Sequence, residues 1–241
     1  MTIPGQNSHT EIRFIMSEQN VSAVERALII LDAFTDRDAD LSLKDLSERT
    51  GMYKSTITRL AGTLESRGFL AISGRGRYRL GPALWRLGSI YRRSFRMDDV
   101  VRPHLAALVS ASGETASFYV PEGENRLCLF RENSPSSLRH HLEEGAILPC
   151  DRGAAGHVIR AWGDGVDDRA IEVLDAGFSQ SEGERDPDIS AIAVPVLDRQ
   201  NRLLGVLTLS GPRSRFNKLK RDEALLFLKK HALDCERTLS A

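Results

Sequence analysis

The sequence predicts an α+β chain in two parts, an N-terminal winged helix-turn-helix and a second domain built around an antiparallel sheet. Three observations predict it. Between Leu41 and Leu70, "LSLKDLSERTGMYKSTITRLAGTLESRGFL" carries two short helical patterns separated by a glycine turn, the signature of a helix-turn-helix. Directly after it, "FLAISGRGRYRLG" sets two short apolar runs around a Gly-Arg-Gly-Arg tip, a hairpin able to act as a wing. In the second half the pattern changes to apolar strands in pairs. "TASFYV" goes with "RLCLFR" across "PEGEN", and "ISAIAVPVLD" with "RLLGVLTLS" across "DRQN".

The elements follow in order. Residues 1–20 are polar and aperiodic and are expected to form a disordered tail, with Met16 an alternative start to Met1. Val24, Ala27, Leu28, Leu31 and Phe34 fit a first helix that ends near the polar cluster Thr35–Asp40. Ser42, with Asp45 three residues on, opens a second helix, and Gly51 closes it. A third helix begins near Ser55 and ends at Gly68. Its apolar stripe is Ile57, Leu60, Ala61 and Leu64, at i, i+3, i+4 and i+7. Phe69, Leu70 and Ile72 read as one hairpin strand, Tyr78 and Leu80 as the other.

"ALWRLGSIY" is a fourth helix, and Asp98–Ala111 a connecting helix with Pro103 in its first turns, where a missing N–H is tolerated. The boundary falls between Tyr91 and Asp98. This gives a winged-helix domain at 21–93, a linker helix at 94–112 and a second domain at 113–241. In the latter, "SLRHHLEEGAILPC" reads as strand then loop, and "GAAGHVIRAW" as a short helix. Asn217–Leu239 reads as a closing helix with Leu225, Leu228, Ala232, Cys235 and Leu239 on one stripe.

Composition narrows the classes. With 241 residues, 41% hydrophobic and 27% charged, the chain is an ordinary globular protein of one large or two small domains. Basic and acidic residues balance at 33 each, so net charge is silent about polyanions. Its distribution is not: residues 21–93 hold 13 basic and 8 acidic residues, which marks the first third as the part suited to a polyanion. Cys128, Cys150 and Cys235 are odd in number and form no CxxC, which speaks against a disulfide framework or a zinc site and for a reducing compartment. No run approaches the length of a membrane span and no signal-peptide core is present, so the expected location is cytoplasmic.

The third helix poses the main question. Opposite its apolar stripe it presents Ser55, Arg59, Gly62 and Ser66, with Thr58 at the edge. A merely solvated face would favour Glu, Lys and Gln. A helix entering the major groove needs short side chains for close approach, hydroxyls for phosphates and base edges, and an Arg for guanine or phosphate. Its N-terminus also attracts anions. Lys54, Ser55, Thr56, Thr58 and Arg59 meet these needs, and Arg75 and Arg77 at the wing tip would lie over an adjacent groove or backbone. The competing reading is a solvated helix and a solvated basic hairpin.

At this point the residues become recognisable. "VERALIILDAF", the helix-turn-helix stretch and "GRYRLGPALWRLG" closely resemble the DNA-binding half of IclR-family bacterial transcription regulators. "GETASFYV", "GAAGHVIRAW" and "ISAIAVPVLDRQNRLLGVLTLSGPRSRF" resemble that family's effector-binding domain, whose fold is GAF-like. The resemblance runs from about Val21 to the C-terminus. It implies a small-molecule pocket, often for a carboxylate or aromatic acid, at Leu148, Cys150, Ala154, Ala155, Gly156, Ala191, Thr208 and Ser210. The chemistry suits those positions. Thr208 and Ser210 are two apart and share a sheet face, and the N–H groups opening the Ala154 helix suit a carboxylate. Against it stands the reading that both hydroxyls face solvent and the small residues only pack. One departure matters: where many members have a His-Ala-Thr/Ser-Ala-Gly-Lys pattern, this chain has "CDRGAAGH". Arg152 then either binds an acid directly or pairs with Asp151.

Two other classes are weighed. Cys150, Asp151 and His157 offer a nucleophile, an orienter and a base, but no nucleophile elbow or oxyanion motif accompanies them, and no enzyme is expected. His140–Glu144, "HHLEE", lacks a completing ligand, and no metal or other cofactor is expected. The expectation is therefore a ligand-responsive regulator, repressor or dual, that binds a palindromic double-stranded DNA operator as a homodimer or tetramer and takes a small organic effector, with no membrane partner. The alternative is a small-molecule-binding protein whose winged helix docks another protein.

Overall fold

The computed structural model describes residues 21–35, 38–74, 76–94, 97–137, 142–163 and 167–239. The chain divides into two compact units, Met1–Ile90 and Tyr91–Ala241.

In the first unit, α1 (Ser22–Asp32), α2 (Leu43–Thr50) and α3 (Lys54–Ser66) are followed by an antiparallel hairpin, β1 (Leu70–Ile72) and β2 (Tyr78–Leu80). α4 starts at Pro82 and its range is Pro82–Ser94. The helices close over Ile30, Leu46, Ile57, Leu60 and Ala61, with Leu41, Leu70 and Tyr78 sealing the hairpin side. Leu41 bridges to Tyr78, so the strand after the wing is tied to the residue just before α2. The start of α2 is a capping box. The Asp45 N–H donates to Ser42 Oγ at 3.1 Å, and the Ser42 N–H donates to Asp45 Oδ2 at 2.8 Å. Gly51 then turns left-handed at φ 69°, which glycine adopts without steric cost. Ser42→Ala is expected to lower the stability of this unit by about 1 kcal/mol in urea titration, whereas Ser42→Asp, an equally good cap, should leave it nearly unchanged.

The second unit is a six-stranded sheet in the order β5-β4-β3-β8-β7-β6, every neighbouring pair antiparallel. Its strands are β3 (Thr115–Glu122), β4 (Asn125–Glu132), β5 (Ile147–Pro149), β6 (Ser179–Glu182), β7 (Ile189–Leu197) and β8 (Leu203–Pro212). Its helices are α5 (Met97–Ser112), α6 (Ala154–Trp162), α7 (Asp168–Ala176) and α8 (Lys218–Leu239). One sheet face packs on α5 and α8 through Leu105, Leu108, Phe118, Phe130, Leu207, Leu209 and Leu228. The other packs on α6 and α7 through Tyr119, Cys128, Val158, Ile159, Ala170, Val173 and Val206. Alternation along β7 and β8 sorts the side chains: Ile192, Val194, Leu207 and Leu209 go one way, Ala193, Val206 and Thr208 the other.

Several expectations are corrected here. α7 and β6, not foreseen, lie between the Ala154 helix and β7. The turn expected over "PEGEN" is only Gly123–Glu124, with both strands running on to Glu122 and Asn125. Of the strand expected in "SLRHHLEEGAILPC", only Ile147–Pro149 is extended, and residues 138–141 lie outside the described residues. Pro103 stands six residues inside α5, past the first turn, where its ring removes a ladder bond. α5 also buries Val101, Leu105 and Leu108, so it is part of the second unit's core. On α8 the buried positions are Arg221, Ala224, Leu228, Ala232 and Cys235, while Leu225 and Leu239 are only half-buried. No described helix is long and apolar enough to cross a membrane.

Candidate functional site

The outward face of α3 is built as the periodicity requires. Ile57, Leu60 and Ala61 are buried, and Lys54, Ser55, Thr58, Arg59, Gly62 and Ser66 are exposed. Thr56 is half-buried at the first turn. The Thr58 hydroxyl donates to the Lys54 carbonyl at 2.9 Å, which leaves its methyl and an oxygen lone pair facing outward. Arg59 has no ion-pair partner among the described residues. Tyr53, the N-cap, is 84% exposed, an aromatic ring at the mouth of the helix that sequence reasoning passed over.

Arg77 is placed differently from the expectation. It does not reach out from the wing. Its guanidinium binds the Asp40 side chain, donates to the Asp40 carbonyl at 3.2 Å and lies 3.3 Å from Asp45 Oδ2. The bond with Asp40 and the nearby carboxylates raise its pKa further. Arg77 therefore clamps the wing to the start of α2. Among the described wing residues, Arg79 on β2 is basic and exposed. Arg75 lies outside the described residues.

In the second unit a row of side chains crosses the sheet on its α6 side: Leu148 on β5, Arg126 on β4, Tyr119 on β3, Thr208 and Ser210 on β8, and Ala191 on β7. Together with Gly153, Ala154 and Ala155 at the start of α6, and Ser181 to Ile189, they enclose a cleft of about 40 Å³. Gly153 and Gly156 permit this closeness. Gly153 has φ 85°, and a Cβ on Gly156 would stand 2.7 Å from Arg126 Nη1 and from the Cys150 carbonyl. The small residues of "GAAG" thus let α6 descend onto the sheet over the Arg126 guanidinium.

The polar groups of the cleft are unusual. Arg126 is 4% exposed and has no carboxylate partner among the described residues. Its Nη1 donates to the Pro149 carbonyl and, at 3.1 Å, to the Arg152 carbonyl, while its Nε has no partner. Burial lowers its pKa, opposed by Tyr119 and Cys150. Tyr119 lies beneath the guanidinium, 5.6 Å from ring centre to Cζ. Thr208, 4% exposed, also has a hydroxyl without a partner. At the start of α6, the Gly153 N–H donates to Glu184 Oε2 at 2.7 Å and the Ala154 N–H to Ser181 Oγ at 3.0 Å. His157 Nε2 lies 3.0 Å from the same Glu184 oxygen, and its Nδ1 is 3.2 Å from Ser179 Oγ. Burial pushes the His157 imidazole below its ordinary value, against the pull of Glu184.

A larger depression, about 380 Å³, lies on the other sheet face between α5 and α8, lined by Leu108, Leu209, Phe216, Ala224 and Phe227. Its charged rim is already paired, Arg215 with Glu114 and Lys220 with Glu223. Size favours neither it nor the cleft, since a depression of about 860 Å³ lies beside Cys150, Asp151 and Trp162. Unmet bonding favours the cleft, and specific recognition follows from unmet bonding.

Residues 23–71 match the IclR helix-turn-helix domain, and residues 171–237 match the bacterial transcriptional regulator IclR C-terminal domain. The chain belongs to the IclR family. Both units are thus those of a transcriptional regulator, an N-terminal DNA-binding helix-turn-helix and a C-terminal effector-binding domain. Curated relatives agree over nearly full length. The HTH-type transcriptional regulator XynR of Escherichia coli is 24% identical over 81% of this chain and 88% of its own. The glycerol operon regulatory protein of Streptomyces coelicolor is 26% identical over 92% and 96%. Among solved structures, an IclR transcriptional regulator from Alicyclobacillus acidocaldarius superposes with a TM-score of 0.78 at 24% identity, covering 92% of this chain and 99% of that one. An IclR homologue from Microbacterium hydrocarbonoxydans, complexed with 4-hydroxybenzoate, gives 0.77 at 20% identity over 90% and 98%.

Within the IclR C-terminal unit, the cleft gathers six of the eight expected effector positions: Leu148, Ala154, Ala155, Ala191, Thr208 and Ser210. Gly156 lies buried beneath it as a packing residue, and Cys150 lines a separate depression with Asp151 and Arg160 while its thiol stays within reach of the Arg126 guanidinium. Burial pushes the Cys150 thiol up. His157 faces Ser179 and Glu184, and Asp151 pairs with Arg152 at 2.8 Å on the exposed surface, so Cys150, Asp151 and His157 are not assembled with one another. Of the expected "HHLEE" run, His140 and His141 lie outside the described residues.

Sequence reasoning missed Tyr119, Arg126, Ser181 and Glu184. One signal was available for Arg126. In "RLCLFR" it stands in phase with Cys128, a buried position, and a charge in phase with an inward strand position is worth a functional hypothesis.

Proposed function

We propose that this chain is a ligand-responsive repressor or dual regulator that reads a palindromic operator as a dimer or tetramer and takes a small organic carboxylate in the cleft beside α6. The observation that carries the reading is the α3 face, where small hydroxyl-bearing residues surround an Arg59 without an ion-pair partner among the described residues, opposite the helix's apolar stripe. Lys54, Ser55 and Thr56 meet phosphates at the helix N-terminus, and Arg59 with Thr58 meets base edges. One such module contacts few base pairs, so two copies on an inverted repeat supply the affinity and specificity.

For the effector, Arg126 supplies charge and Thr208 a hydroxyl, each with bonding capacity to spare, and α6 points its N-terminal dipole into the same space. An acid satisfies all three, and 4-hydroxybenzoate in the Microbacterium homologue is a ligand of that class. The ligand alters operator affinity only by as much as it prefers one of two conformations, typically about 1–3 kcal/mol.

Two experiments test the reading. Duplexes selected from sheared genomic DNA should yield an inverted repeat. Its affinity should fall with salt at a log–log slope of about −0.9 per contacted phosphate; a shallow slope without enrichment would remove DNA from the reading. Thr208→Val should raise the stability of the ligand-free protein by about 1 kcal/mol, since a buried hydroxyl without a partner costs about 1–3 kcal/mol. The same variant should weaken binding of benzoate or 4-hydroxybenzoate, and a stability loss with unchanged binding would place Thr208 outside the site.

A further inference from the structure

The cleft already contains a carboxylate, and it belongs to the chain. Glu184 sits on the segment 183–188 between β6 and β7 and accepts from the Gly153 N–H at 2.7 Å at the very start of α6. The same oxygen lies 3.0 Å from His157 Nε2, and the side chain is about one-third exposed. A charged acceptor at a helix N-terminus is the arrangement expected of a bound anion. Glu184 is nevertheless an incomplete occupant. Arg126 Nε and the Thr208 hydroxyl, both buried in the same cleft, take no bond from it or from any other described residue.

Space points the same way. About 40 Å³ holds a few waters, well below the several hundred Å³ of an ordinary ligand pocket. With Glu184 in place the cleft is too small to enclose an aromatic acid such as benzoate. The segment that carries Glu184 also lines the cleft with Arg185 and Asp186, so one displacement both opens the cavity and vacates the α6 N-terminus. Its base is defined: the Gly183 N–H donates to the Ile189 carbonyl at 2.9 Å, and Gly183 has φ 67°. Pro187 and Asp188 are held by Arg213, whose Nη1 donates to the Pro187 carbonyl at 3.1 Å and whose backbone N–H donates to the Asp188 carbonyl at 2.7 Å, so a displacement confined to residues 184–186 leaves the β6–β7 ladder intact.

We propose that Glu184 is a built-in competitor, an internal carboxylate holding the seat that the ligand's carboxylate takes, so that ligand binding exchanges one for the other and moves residues 184–186 outward. This rests on the reading that the cleft binds an organic acid. It adds that the ligand must carry its own carboxylate to take over the Gly153 N–H and His157, and that neutral analogues of the same shape are rejected. Displacing Glu184 removes a negative charge from the cleft and leaves the buried Arg126 guanidinium as its fixed charge, which suits an acid.

The test uses the full-length protein, with benzoate and acetate as probes and benzamide as the neutral control. Affinities are read by calorimetry and the Gly153 amide by ¹⁵N NMR. Glu184→Ala is expected to bind benzoate at least tenfold more tightly than the wild type, with Glu184→Gln in between. The Gly153 resonance should shift in Glu184→Ala and return toward its wild-type position as benzoate or acetate saturates the site. Equal affinity in wild type and variants, with Gly153 responding to the probe, would overturn the competitor while leaving the acid site standing. Tighter binding of benzamide than benzoate would overturn it as well. No saturable binding in any of the proteins, with Gly153 unmoved by either probe, would sink both the competitor and the acid site beneath it. Glu184→Gln, which keeps an acceptor oxygen, carries the comparison if Glu184→Ala folds poorly.

Discussion

Arg59→Ala is expected to weaken binding to the selected operator by about 5- to 150-fold for each protomer on the DNA, the loss of roughly 1–3 kcal/mol per bidentate base contact, and to relax preference at one base pair per half-site. The reason is local. Arg59 stands one turn beyond Ser55 on the exposed face of α3, Gly62 opens space beside it, and no carboxylate among the described residues holds it back. Lys54→Ala should behave differently. It should weaken all sequences about equally and make the salt slope shallower by about one unit, because a phosphate contact positions without specifying. Competition titrations of matched and single-mismatch duplexes separate the two. If Arg59→Ala bound every duplex as the wild type does, α3 would not be the reading helix.

Phe118→Ala is expected to lower the stability of the second unit by about 3–5 kcal/mol in urea or guanidinium titration, the usual cost of removing a fully buried phenyl. Phe118 is 0% exposed, stacks on Phe130 at 6.3 Å, and lies against Gly205 so closely that a Cβ there would fall 2.2 Å from Cζ. The surrounding strands are paired on both sides of β3, so they have little freedom to collapse into the space. Most domains are stable by only about 5–15 kcal/mol, so this is a large share. The effect should reach the cleft as well. Tyr119, the next residue, lines it from the opposite face of the same strand, and acid affinity should fall with stability. A loss under about 1 kcal/mol would mean that the sheet repacks far more freely than its pairing implies.

These two predictions differ in how early they could be made. The α3 face was legible because a helix writes its exposure into the sequence at a fixed period, and Ser42, Asp45 and Gly51 mark the boundary of the preceding helix with side chains that bond only to their own neighbourhood. The paired strands were legible for the same reason, and so was the shared face of Thr208 and Ser210. β6 was not. "SQSE" has no apolar alternation, and it is a strand only because β7 offers it a free edge; its buried positions are serines. Local pattern also failed in β4. Phe118 pairs with Phe130 and Tyr119 with Cys128, so Leu129 is an extra residue that lets Cys128 and Phe130, two apart, face opposite sides.

Arg77 and Glu184 show the remaining limit. Both are charged residues in turn-like stretches, where sequence expects solvent. Arg77 is claimed by Asp40, 37 residues earlier, and Glu184 by the Gly153 N–H, 31 residues earlier. The sequence alone determined the winged helix, the sheet domain and the family, because periodicity, caps and strand alternation are properties of neighbours. Only the tertiary structure decided which charges are spent and which remain available. A buried group's partner is chosen by whatever the fold brings within about 3 Å, and no local pattern encodes that distance.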